Sequence, residues 1–113
     1  MGSRIDPTTD SAVREFLAAV KKRPDYAGAV LFGSRARGTH IGSSDADVAI
    51  LLKGPAQKTI PIALEMADAA YAVLLKTGVN VQAMPIWVDQ WEHPDRHSNP
   101  WLLKNIKEEG VLL

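Results

Sequence analysis

The stretch from Phe32 to Ile50 reads FGSRARGTHIGSSDADVAI and joins two short apolar runs. Gly33 and Ser34 close the first run, and Asp45 and Asp47 open the second. Side chains alternate across a strand, so two carboxylates at alternate positions share one face. Side by side they repel each other. A divalent cation removes that repulsion, and Mg²⁺ is usually held by one or two carboxylates together with substrate phosphates. Gly33 lets the backbone approach a ligand closely. A helical turn started there would aim free N–H groups at a phosphate. The Ser34 hydroxyl adds a hydrogen bond, and Arg35 and Arg37 are cations near enough to neutralise phosphate charge. An ordinary turn and a solvated strand entry explain either signal alone. The two together are more specific.

Around this stretch the pattern predicts helix, strand, loop, strand, helix, strand, helix. Thr9 or Asp10 caps a first helix from about Ser11 to Arg23, with Val13, Phe16, Leu17 and Val20 as its apolar stripe, and Pro24 stops it. Ala29 to Phe32 reads as a buried strand, Gly33 to Ser44 as a loop, and Asp47 to Leu52 as a second strand ended by Gly54-Pro55. A long helix follows from about Thr59 to Lys76. Its buried face is expected on Ile60, Leu64, Ala67, Tyr71 and Leu74, with Gly78 as its stop. Val79 to Trp87 reads as a third strand, with Val79, Val81 and Ala83 on one face and Asn80, Gln82 and Met84 on the other. Val88 to Asn99 is polar and irregular. Ser98 or Asn99 caps a last helix with Pro100 at its first position and Trp101, Leu102 and Ile106 on its apolar side. Val111 to Leu113 can form a short edge strand. The expected fold class is therefore α+β, a small mixed sheet with helices packed against it.

The 113 residues are one domain by length, and 13 basic against 13 acidic residues leave no net charge. That argues against a broad grip on nucleic acid or an anionic membrane. No apolar run approaches the ~20 residues of a membrane span, and Met1 to Asp10 lacks the apolar core of a signal peptide. The absence of cysteine excludes disulfides and thiolate chemistry and suits a cytoplasmic setting. Trp87, Trp91 and Trp101 are divided between core packing and a partner surface. His40 reads as a surface residue, and His93 and His97 as loop residues, because Pro94 breaks helical metal spacing.

GSRARG followed by SSDADVAIL resembles the signature of the DNA polymerase beta-like nucleotidyltransferase superfamily. It is most similar to the small stand-alone members, the minimal nucleotidyltransferases, often the antitoxin half of a pair with a HEPN-domain toxin. The resemblance implies the nucleotidyltransferase fold and Mg²⁺ held by Asp45 and Asp47. It implies nucleotide or phosphate binding by Gly33, Ser34, Arg35, Arg37 and Ser44. ATP is the implied donor, and the implied acceptor is a hydroxyl, in the specific version a tyrosine of a HEPN-type partner. Active members carry a third carboxylate on the next core strand, where this chain has Asn80 and Gln82. Neither amide supplies negative charge or takes a proton. The nearest acids in sequence are Glu65, Asp68 and Asp89. Two other readings follow: a catalytically impaired nucleotide-binding module that docks on a partner, and the catalytic subunit of an aminoglycoside-type adenylyltransferase. An oligomer is compatible with all three.

Overall fold

The computed structural model describes residues 5–113; the first four residues of the polar start lie outside the described residues. The elements are α1 (Pro7–Val20), β1 (Tyr26–Phe32), α2 (Ser34–Arg37), β2 (Ala46–Leu52), α3 (Ile60–Thr77), β3 (Val81–Trp87), α4 (Val88–Glu92), a 3-10 turn (Pro94–Arg96), α5 (Pro100–Glu109) and β4 (Val111–Leu112). The strands form one sheet in the order β3-β2-β1-β4. β1 runs antiparallel to β2 and to β4, while β3 runs parallel to β2. The parallel pair needs a crossover, and α3 supplies it. This is the α+β fold expected from the sequence.

Alternation along the strands sorts the core into two layers. Ala29, Leu31, Ala46, Val48, Ile50, Leu52 and Val81 face α1 and α3, where they meet Val13, Phe16, Met66 and Val73. Val30, Ala49, Leu51 and Ile86 face the other way, onto Leu103 and Ile106 of α5. Asp47 follows the second set, so its carboxylate lies on the α5 side. At the end of α5, Gly110 lies so close to β1 that a Cβ there would collide with Val30 and with the Ile106 carbonyl. The closeness of that turn is what carries the chain into β4.

Val88 to Asn99, expected to be irregular, holds α4 and the 3-10 turn, and three further expectations are corrected. The first helix begins at Pro7, not Ser11, and ends at Val20, and its cap is Asp6, whose Oδ1 accepts from the Thr9 N–H at 2.8 Å. Proline favours the first helical position because its missing N–H has no intrahelical partner there, so Asp6-Pro7 outcompetes the later caps. The buried face of α3 is Ile62, Met66, Ala70 and Val73. Of the expected face only Leu74 is partly buried; Ile60, Leu64, Ala67 and Tyr71 are exposed. The helix is apolar on most sides, so its periodicity offers two stripes. The slimmer one, eased by Ala70, packs between α1 and the sheet. The third correction is Trp101, which is 74% exposed with the Lys104 ammonium over its ring, while Leu103 takes the core position. Trp87 is buried and donates from Nε1 to the Gln57 carbonyl at 3.3 Å. Trp91 is half-buried beneath Lys107.

The Asp6 carboxylate sits below the usual aspartate range, chiefly because it accepts the Thr9 N–H, with the Thr9 hydroxyl, His40 and Arg35 adding to the shift. A lowered folded value means that the stabilisation is complete above the ordinary aspartate range and is lost as pH falls through the folded value. Asp6→Ala is expected to lower stability by about 1–2 kcal/mol at neutral pH. Urea unfolding repeated at descending pH should show that difference shrinking towards zero in acid.

Candidate functional site

The site is built where β1 ends, β2 begins and β3 begins. Gly33 stops β1 at φ +77°, a backbone conformation that strains other residues. Its carbonyl accepts from the Ala36 and Arg37 N–H groups, both at 3.1 Å, and this winds α2. The N–H groups of Ser34 and Arg35 have no partner among the described residues, as the first turn of a helix dictates. Gly33 has a second requirement: a Cβ at this position would collide with Asp47 Oδ2. The glycine turn and the second aspartate are therefore in direct contact, although fourteen positions separate them in the chain.

Asp45 and Asp47 lie on one face at the start of β2. Asp45 is exposed and accepts from Asn80 Nδ2 at 3.1 Å. Asp47 is half-buried, and no protein donor reaches its carboxylate among the described residues. Burial pushes its pKa up, the neighbouring Asp45 charge pushes it further, and Arg37 partly opposes both. Such a carboxylate pair gains from a bound cation, and its hard oxygens fit Mg²⁺. The register sets Gln82 of β3 directly beside Asp47. No cluster of three or more metal-ligating side chains exists among the described residues. The acids nearest in sequence lie elsewhere: Glu65 pairs with Arg23 at 2.5 Å, Asp68 is exposed on α3 behind the sheet, and Asp89 pairs with Arg96 at 2.5 Å.

The two arginines separate. Arg37 is exposed on α2, with Nη1 3.3 Å from Glu109 Oε2 and its charge felt at Asp47. It lines a cleft of about 170 Å³ with Phe32, Gly33, Leu102 and Asn105. The Arg35 side chain is turned into the fold instead. It is buried, with Nε donating to the Ser44 carbonyl at 2.8 Å, Nη1 to Thr9 Oγ1 at 2.7 Å and Nη2 to the Gly42 carbonyl at 3.1 Å. Its side chain shapes the loop that presents the aspartates. Ser44 shares that work: its Oγ accepts from the Ile41 N–H at 3.1 Å. His40 is half-buried rather than on the surface, with Nε2 2.8 Å from Asp6 Oδ2. Thr9 links this pair to Arg35, its hydroxyl donating to Asp6 Oδ2 at 2.9 Å. The Asp6–Thr9–Arg35–His40 network escaped the sequence reading, and Asp6-Pro7 was its one visible signal.

Two outcomes are expected. Arg35→Met should destabilise the fold by about 2–4 kcal/mol, because it strands the buried Thr9 hydroxyl and removes the donors to the Gly42 and Ser44 carbonyls. Arg37→Met should stay within about 0.5 kcal/mol of the parent, as exposed pairs contribute little. Chemical denaturation measures both. Asp47→Asn should be more stable than the parent at neutral pH, since a raised folded pKa means that the charged form opposes folding. The gap should close as pH falls through the raised value, which thermal unfolding across pH would follow.

No curated protein matches the chain. A crystal structure of a candidate nucleotidyltransferase from Sulfolobus solfataricus is similar at 19% identity and a TM-score of 0.45, over 98% of this chain and 90% of that one. A family model described as the nucleotidyltransferase domain matches residues 13–113. That span takes in the Gly33 turn, both aspartates and every strand of the sheet, and the chain belongs to the nucleotidyltransferase domain family.

Proposed function

We propose that the chain is a Mg²⁺-dependent nucleotidyltransferase that takes ATP and passes AMP to a hydroxyl, in the specific case a tyrosine of a HEPN-type partner. The observation that carries the reading is the contact of the Gly33 turn with Asp47, which joins an anion-binding turn to a cation-binding pair. Asp45 and Asp47 hold the metal. Bound Mg²⁺ offsets charge on the triphosphate and on the departing pyrophosphate. The unpaired N–H groups of Ser34 and Arg35 and the Ser34 hydroxyl receive the β and γ phosphates, and Arg37 turns from Glu109 to meet them. The acceptor oxygen bonds to the α-phosphorus as the bond to pyrophosphate breaks, and the hydroxyl proton passes to solvent. The acceptor tyrosine and the HEPN partner rest on the resemblance of GSRARG and SSDADVAIL alone.

One observation favours a second reading, a nucleotide-binding module with little or no transfer. The position beside Asp47 is Gln82, and Asn80 is occupied by Asp45. Neither amide takes the proton of an attacking hydroxyl. Under either reading, the chain binds nucleotide better than it activates an acceptor.

Calorimetry should show Mg·ATP binding that is abolished in the folded Asp45→Asn, Asp47→Asn double variant. Unchanged affinity in that variant would sink the site assignment. With ATP labelled at the α-phosphate, the chain and its lysate should yield a labelled band that the double variant loses. Gln82→Glu should raise the labelling rate by about a hundredfold, the low end of what a positioned base contributes. Binding without labelling in both the parent and Gln82→Glu would select the module.

A further inference from the structure

The stripe of α3 that the core rejects is large, apolar and regular. Ile60 is 72% exposed, Leu64 65%, Tyr71 61% and Leu75 70%. With exposed Ala67 they step by four, three, four and four along the helix, which keeps them on one face. Together they present on the order of 500 Å², near the upper end of what a monomer shows as one patch. Of the charges flanking the stripe, Glu65 pairs with Arg23 at 2.5 Å and Lys76 with Glu15 at 2.8 Å, which leaves Asp68 without an ion pair among the described residues. A partner chosen by charge would find little to hold.

We infer that this stripe is covered by the same stripe of a second copy, in an antiparallel α3–α3 pair about a two-fold axis beside Ala67. The spacing is what selects the occupant. Reversed about that axis, the stripe falls on itself: Ile60 meets Leu75 of the second copy, Leu64 meets Tyr71, and the small Ala67 lets the backbones approach. An isologous interface requires this self-complementarity. The copies carry no net charge, so nothing repels them at long range. Both stripes together would bury roughly 1,000 Å², the lower limit of a specific interface. The open edge of β3 does not compete. Asn80 turns its carbonyl to Ala46, so alternation points position 85 outward. That position is Pro85, which has no N–H to offer an added strand.

Sedimentation velocity on the full chain across the micromolar range tests this. The parent should pass from monomer to dimer. Leu64→Glu with Tyr71→Glu should remain monomeric while keeping the parent's circular dichroism. The axis also brings the two Asp68 side chains near each other on the rim, so Asp68→Asn should tighten the dimer severalfold. Because the chain lacks cysteine, Ile60→Cys with Leu75→Cys should cross-link into a covalent dimer under mild oxidation. Ala18→Cys on exposed α1 should not. A parent that stays monomeric throughout, or a dimer that survives the double glutamate, would overturn the inference. So would a face occupied instead by a different protein.

Discussion

The buried guanidinium of Arg35 ties three separate pieces of chain together. A buried charge is tolerated only when its donors are met, and here α1 supplies Thr9 while the 38–45 loop supplies the Gly42 and Ser44 carbonyls. Asp6 provides the countercharge one hydrogen bond further on, through the Thr9 hydroxyl. This arrangement explains why a polar loop with two glycines holds one shape over the site. It also makes the start of α1, remote in sequence, part of what positions Asp45 and Asp47.

The site itself carries tension that the fold does not relieve. Asp47 is half-buried beside a second carboxylate and receives no hydrogen bond among the described residues, so its charge opposes folding. Gly33 is held at positive φ against that same carboxylate. The buried charge is unfavourable in isolation, whereas glycine takes positive φ without strain; under the proposed function both would meet a ligand that brings a cation and an anion together. A protein selected for stability alone would place an amide at 47. Such an amide does stand next door, at Gln82.

How far the sequence could be read depended on the kind of signal. Gly-Ser, Asp-x-Asp, Asn99-Pro100 and the short edge strand were readable because each is a local rule: a turn that needs glycine, a face set by alternation, a cap that needs an acceptor. The place of the Arg35 side chain was not legible because arginine beside a glycine turn suits phosphate equally well, and only the three acceptors around it turn it inward. The face of α3 was misread because Ile, Leu, Met, Val and Ala recur on nearly all its sides. Periodicity ranks a stripe only when a polar stripe opposes it, and Glu65, Asp68 and Lys76 are too few to do so.

The sequence by itself determined the elements, the strand alternation that aligns Asp45 with Asp47, and the membership carried by Gly33 to Leu52. These follow from the backbone geometry of neighbouring residues. Only the tertiary structure decided that Gln82 lies beside Asp47, that Arg35 belongs to the interior while Arg37 faces the cleft, and that the bulkier stripe of α3 faces outward. Each of those outcomes is a choice between residues of equal local fitness. It is settled by which partners, hydrogen-bond acceptors or small side chains, distant parts of the chain bring within reach.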